Sequence, residues 1–325
     1  MAGSRNLRYS LIIASLSLLS LNIANATEPT EQKAVLVTGA SSGIGRTIAV
    51  RLSDEGYYVY AGARSEQDID SLSALKNVQG LRLDVTAQAD IDTAVAQVKA
   101  DGRILHGLIN NAGVVVLGLL AETPESDLDF IFDVNVYGPY RMVKAFAPML
   151  IQSKGRIINI SSMAGIMSPP AYGAYSMSKH AIEAFSDTLA YEFGTVGVSV
   201  SAIEPGPFRS NAVASSCERQ QRQDYDPAKS WFPELAAEIA IACEEEIQYP
   251  KPDPVAEAVL HVLETDRPRA RYLAPSDARQ PEFVVNSLIK DAVELSTGLS
   301  YALSRDELIV LLDAALADRE ALASD

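Results

Sequence analysis

The chain has 325 residues, 48% of them apolar, which is enough material for one large domain with a substantial core. Its formal charge of −15 and pI near 4.7 come from acids spread along the chain, and they exclude the basic footprint of a nucleic-acid binder. The two cysteines and three histidines show no metal-ligand spacing, so no metal site is expected. In chain order, Arg5 and Arg8 precede a short apolar run from Leu11 to Ala24, and Ala24-Asn25-Ala26 is a small-x-small cleavage pattern. Residues 1–26 therefore read as a secretory signal peptide or an N-terminal membrane anchor. On either reading the rest of the chain is exported, periplasmic or secreted, or faces a non-cytosolic compartment.

Lys33 to Thr38 is an apolar, β-branched run and reads as the first strand; a helix follows from Gly43 to about Glu55. Tyr57–Gly62 and Gln79–Leu83 read as strands two and three, and Ala89–Ala100 as a helix. His106–Ile109 is a fourth strand. Thr123-Pro124 looks like an N-cap with proline at the first helical position, opening one long helix to about Gln152. Arg156–Ile160 is a fifth strand, Ala171–Glu192 a helix and Val198–Ile203 a sixth strand. This alternation predicts an α/β fold: a doubly wound parallel sheet with helices on both faces, over residues 33–275 in a single domain. Residues 207–252 break the rhythm as a variable loop with Trp231 and Phe232. Helix then resumes at Val255, Arg271-Tyr272-Leu273 is a last strand, and residues 276–325 are a helical extension.

Tyr175 and Lys179 stand four apart on the predicted helix, so they share one face. An ammonium beside a phenol favours the phenolate, and the tyrosine pKa is expected to fall from its usual value near 10 towards that of a working acid/base. Thr38-Gly39-Ala40-Ser41-Ser42-Gly43-Ile44-Gly45 closes the first strand and opens a helix. Glycines there allow a tight turn and close approach of a pyrophosphate to the helix N-terminus.

These motifs, with Asn110-Asn111-Ala112-Gly113 between them, resemble the short-chain dehydrogenase/reductase family over roughly Lys33 to Tyr272. The resemblance implies a Rossmann-like fold and a tetrad of Asn135, Ser162, Tyr175 and Lys179. Of the two serines ending the fifth strand, Ser162 is thirteen residues before Tyr175, the usual family separation, and Ser161 is its neighbour. The resemblance also implies cofactor contacts from Gly39, Ser41, Ser42, Gly43, Ile44 and Gly45, from Asp84 and Val85, and from Asn111, Ala112 and Gly113. It extends these contacts to Tyr175 and Lys179, and to Pro205, Gly206 and Ser210 of a P-G loop. For Asp84 the alternative is a helix N-cap.

Where NAD enzymes carry an acid at the end of the second strand, this chain has Ala63 followed by Arg64. Arginine suits a 2′-phosphate, so the expected cofactor is NADP, with NAD less favoured; Arg64 as a plain solvated charge is the alternative. Pro205 to Ser210 and Arg267 to Tyr272 look like retinol and 17-beta-hydroxysteroid dehydrogenase-like members. With Val115, Leu117, Met163, Ile166, Met167 and Tyr172 facing the nicotinamide, and Phe208, Trp231 and Phe232 coming from the variable loop, the expected substrate is a hydrophobic alcohol, ketone or aldehyde. A non-catalytic nucleotide-binding sensor or scaffold is the rival reading. The family resemblance suggests a homodimer or homotetramer. Cys217 and Cys243 flank the variable loop; they are expected as independent thiols, with a disulfide as the alternative.

Overall fold

Alternate residues of the first strand feed opposite sides of the protein. Val35 and Val37 pack into one core and Ala34 and Leu36 into the other, all without solvent exposure. A strand buried on both faces must be apolar at every position, which is why these strands read as continuous runs. A computed structural model describes residues 32–222, 226–244, 248–298, 300 and 302–323; residues 1–26, expected as a signal peptide or anchor, lie outside the described residues.

The strands are β1 (Ala34–Val37), β2 (Tyr58–Ala63), β3 (Val78–Arg82), β4 (Leu105–Asn110), β5 (Arg156–Ile160), β6 (Ser199–Pro205) and β7 (Arg271–Ala274). They form one parallel sheet in the order β3-β2-β1-β4-β5-β6-β7. The order reverses between β1 and β4, and the crevice beyond their C-terminal ends is where open α/β sheets bind ligands.

Helices α1 (Gly43–Asp54), α2 (Glu66–Ser73) and α9 (Asp253–Glu264) cover one face through Ile48, Leu52, Leu72 and Val259. The other face is covered by α3 (Gln88–Ala100), α5 (Gly138–Ser153) and α6 (Gly173–Gly194) through Ile91, Met142, Phe146 and Leu189. The variable loop holds α7 (Ala212–Arg222) and α8 (Pro233–Glu244), and α10 (Gln280–Ser296) and α11 (Arg305–Ala323) follow β7. Among the described residues, no helix is long and apolar enough to cross a membrane.

Three local expectations change. The predicted long helix is α4 (Glu125–Phe132), a π-helical turn over Asp133–Tyr137, and then α5. Thr123 does not cap it; its Oγ1 donates to the Leu119 carbonyl at 3.1 Å, closing the preceding turn. Cys217 and Cys243 are not independent thiols: α7 packs against α8, brings their Cα atoms to 5.6 Å, and a disulfide joins them. Unforeseen altogether was α2, capped by the Ser65 hydroxyl, which accepts from the Asp68 amide at 3.2 Å.

Candidate active site

The nucleotide cradle is built from backbone. Gly39 and Gly43 adopt φ of +64° and +52°, a region that disfavours side chains. A Cβ on Gly39 would meet Ala112 Cα at 2.8 Å, and one on Gly45 would run into the Gly39 carbonyl and the Asn111 side chain. The Thr38 hydroxyl accepts from the amides of Asn111 at 3.0 Å and Ala112 at 2.9 Å. Asn111 Nδ2 in turn donates to the carbonyls of Thr38 and Gly39, at 2.9 and 3.1 Å. The Asn-Asn-Ala-Gly turn is thereby locked onto the glycine turn. Thr38 is the residue the sequence motif contained but did not single out.

At the start of α1, the Ser42 side chain makes no capping hydrogen bond and the first turn carries no acid. Uncompensated amides and a positive dipole end suit a phosphate. Ser41, Ser42 and Ile44 lie on this turn, and Ser210 covers it, with its Cβ 3.1 Å from the position a Gly43 Cβ would take. Pro205 pairs with Ala274 in the sheet, whereas Gly206 is pressed against Gln280 at the head of α10. Glycine is needed at 206 for that helix to approach, a packing reason independent of any cofactor.

Past β2, Ala63 is buried and Arg64 exposed. Burial alone would raise the Asp84 pKa, but bonds from the Thr86 hydroxyl (2.7 Å) and amide (2.9 Å), with Arg64 and Arg82 nearby, hold it below the usual carboxylate value. Asp84 therefore makes an Asx turn rather than capping α3, whose N-cap is Ala87. Arg82 is a second guanidinium at this end of the crevice that sequence reading missed. Val85 packs against Gly138, which begins α5.

At the other end, the β5 and α6 segments bring the predicted tetrad together. Ser162 lies close enough to Tyr175 to act on its pKa, and its hydroxyl oxygen accepts from the Ala164 amide at 3.1 Å. Lys179, buried at 5% exposure, donates to the Ile160 carbonyl at 2.8 Å, and its ammonium lies 5.6 Å from the Tyr175 ring centre. Asn135 sits in the π-helical turn, a distortion often found at functional sites. Its side chain grips Val114, donating to the carbonyl at 2.9 Å and accepting from the amide at 2.8 Å. It also donates to Ser178 at 3.0 Å. A Cβ on Gly113 would be 3.4 Å from Asn135 Oδ1 and 3.8 Å from Lys179 Nζ, so that glycine separates the two side chains.

The expected depression of the Tyr175 pKa is not what the structure gives. Loss of water around the phenol outweighs the lowering effect of nearby Ser162, with Tyr172 adding to the rise, and the pKa is pushed up to about 12. The same burial pushes Lys179 down to about 8 against the pull of Glu183. The ammonium is spent on the Ile160 carbonyl and not on the phenol oxygen, which is why helical spacing alone misjudged the sign.

The residues flanking Tyr175 are apolar or aromatic: Tyr172 meets it edge-on at 6.2 Å, and the loop past Ser162 carries Met163, Ile166 and Met167, all partly buried. The strand-like segment through Gly118 bonds to Ala171 at 2.9 Å and brings Val115 and buried Leu117 alongside. Phe208 departs from expectation: it is buried in the core under α1 and α9. Trp231 is 74% exposed, and Phe232 is also at the surface.

The short chain dehydrogenase family profile matches residues 33–221, and the chain belongs to that family. It is 33% identical to the mitochondrial D-beta-hydroxybutyrate dehydrogenase of Bos taurus, over 77% of this chain and 78% of the relative. It is 31% identical to retinol dehydrogenase 7 of Mus musculus, over 80% and 88%. A short-chain dehydrogenase from Streptomyces avermitilis superposes with a TM-score of 0.69 at 31% identity, covering 81% of this chain and 94% of that one. A Burkholderia phymatum member solved with NAD gives 0.67 at 26% identity, covering 85% and 99%. The protein is thus an oxidoreductase of the kind that acts on CH–OH groups with a nicotinamide cofactor, and the non-catalytic scaffold reading falls away.

Proposed function

We propose that this chain is an NADP(H)-dependent dehydrogenase/reductase acting on a hydrophobic secondary alcohol, its ketone or an aldehyde of steroid-, retinoid- or lipid-like character. The observation that carries the reading is the buried Lys179, tied to the Ile160 carbonyl with its ammonium 5.6 Å from the Tyr175 ring, with Ser162 close by at the end of β5. The glycine turn, the free N-terminus of α1 and Ser210 would hold the pyrophosphate and nicotinamide end. Lys179 would hold the nicotinamide ribose. Arg64 favours the 2′-phosphate: no acid precedes it, and among the described residues its guanidinium has no hydrogen-bond or ion-pair partner.

NADP(H), when bound, supplies or accepts the hydride. In reduction, Ser162 and Tyr175 hold the carbonyl oxygen. Tyr175, neutral at pH 7, gives that oxygen its proton as the carbon gains hydride, leaving an alcohol and a tyrosinate. The Lys179 ammonium stabilises the tyrosinate, and Asn135 keeps the Val114 segment in place beside Lys179. Tyr172, Met163, Ile166 and Met167 supply an apolar wall for the substrate.

The test is titration with NADPH and NADH followed by nicotinamide fluorescence, then a panel of hydrophobic ketones. NADPH oxidation that depends on ketone, and that falls on the order of a thousandfold in Tyr175→Phe with binding retained, is the expected result. Binding with no turnover of any ketone, aldehyde or alcohol would refute the reading. The leader supports export or anchoring, checked by whether the exported protein begins at Thr27. A homodimer or homotetramer is the expected assembly, checked by light scattering.

A further inference from the structure

Glu204 near the end of β6 and Arg271, which opens β7, meet the side of α6 behind Lys179. Glu183 lies one helical turn past Lys179, so the two side chains share a face of α6. It is 7% exposed. One of its oxygens, Oε2, accepts from Arg271 Nε at 3.1 Å, and Arg271 also holds Asp187 at 2.9 Å. Its other oxygen, Oε1, is buried without a hydrogen bond and faces the loop between β5 and α6. A Cβ on Gly165 would be 3.0 Å from that oxygen and 2.7 Å from the unpaired hydroxyl of Ser161. Gly165 therefore lets the carboxylate approach the strand end whose Ile160 carbonyl receives Lys179. Glu204, 1% exposed, stands beside this pair, 3.6 Å from Arg271.

We propose that Glu183, fixed by Arg271, is a positioning residue that supplies the buried counter-charge of Lys179. The inference rests on the proposed role of Lys179. An ammonium in an apolar site gives up its proton unless a nearby anion holds it. The groups facing Lys179 are Tyr175 and Glu183 from its own helix, the Ile160 carbonyl from β5, and Asn135 across Gly113. Those facing Glu183 are Asp187, Glu204, Arg271 and Ser161, with Arg269 near Glu204. Of these, Glu183 is the buried carboxylate one turn from Lys179 on the same face of α6, and its charge favours the ammonium. Two adjacent buried carboxylates cannot both ionise cheaply. Arg271 is nearer Glu183 than Glu204, 3.1 against 3.6 Å, and so fixes which one carries the charge. Burial and the Glu183 charge then hold the Glu204 carboxyl up at about 8.

The test reads the lysine directly. The full-length protein is labelled with carbon-13 at lysine Cε, and the Lys179 signal, assigned by its loss in Lys179→Met, is titrated without nucleotide. In the unsubstituted protein the midpoint is expected at about 8. In Glu183→Gln, and in Glu183→Met should the first fail to fold, it falls by about one pH unit, the effect of removing a charge one helical turn away. In Glu204→Gln it stays put. An unmoved midpoint in the Glu183 variants overturns the proposal, and an equal fall in Glu204→Gln overturns the placement of the charge. Because the signal needs no turnover, this failure is distinguishable from failure of the proposed reaction, which would show as no NADPH oxidation in the unsubstituted protein.

Discussion

Breaking the Cys217–Cys243 disulfide, by reduction or by Cys217→Ser with Cys243→Ser, should loosen the substrate side of the crevice and leave the nucleotide side intact. The apolar packing of α7 and α8 is thin. Among their described apolar residues only Cys217, Ala236 and Ile239 are buried, and a buried aliphatic side chain contributes about 1.5–3 kcal/mol. Ordering a segment of this length costs about 1–2 kcal/mol per residue. Polar anchors help: Ser216 Oγ accepts from the Leu117 amide at 2.9 Å, Gln220 donates to the Leu117 carbonyl at 2.7 Å, and Arg219 pairs with buried Asp127. The crosslink spans 26 residues, which chain-entropy arguments value at about 3.5 kcal/mol of restriction on the unlinked segment. That is comparable to the whole apolar contribution of the segment, so its loss should appear as local opening. Hydrogen exchange of peptides over residues 212–244, with and without reductant, should show protection falling there and unchanged in β1 and α1. KM for a hydrophobic ketone should rise with NADPH affinity unchanged. Equal protection in both states, or two free thiols per chain in protein purified from an oxidising compartment, would refute the reasoning.

Three more predictions follow from other parts of the structure. Arg64→Ala should weaken NADPH binding on the order of ten- to a hundredfold, the loss of a charge-assisted contact, while NADH affinity holds; an equal loss for both would count against a phosphate partner. Gly45→Ala should cost about 1–3 kcal/mol of stability in urea unfolding and abolish nucleotide binding, because its methyl group would occupy the space of the Gly39 carbonyl and the Asn111 amide. Glu204 sets a pH dependence of stability. Its carboxyl titrates at about 8 when folded and near 4.5 when unfolded, so the native state binds the extra proton between those values. Its contribution is therefore full below about 4.5 and is lost as pH rises through about 8. Urea midpoints across that range should decline less steeply in Glu204→Gln, and parallel slopes would show that the carboxyl is not held neutral.

Legibility in the sequence followed the range of the interaction. The strands stood out because a parallel sheet covered on both faces demands apolar residues at consecutive positions, as in Ala34 to Val37. The glycine turn stood out because left-handed φ at Gly39 and Gly43 is a local constraint. The eight-residue α2 was missed because only Leu72 of it is buried, which gives no period to read; its one local signal was Ser65 three residues before Asp68. Asn135 was found by its place in the family pattern, but the π-helical turn that carries it depends on its grip on Val114 and on Val85 pressing against Gly138. The disulfide likewise depends on α7 meeting α8.

The Tyr175 pKa shows where local reasoning fails. Four-residue spacing does put an ammonium beside a phenol, and the 5.6 Å separation agrees with it. Proximity sets only the Coulomb contribution. The sign is decided by how much water the fold removes and by which acceptor the ammonium takes, and both are fixed by the end of β5 through Ile160 and Ser162. A phenol at about 12 beside an ammonium at about 8 is a proton donor at neutral pH. On the proposed mechanism the site is thus poised to protonate a carbonyl oxygen, and the oxidation direction needs the tyrosine proton removed first. Holding Lys179 charged is what makes that removal attainable, so Glu183, outside every recognised motif, bears on the same step as the tetrad.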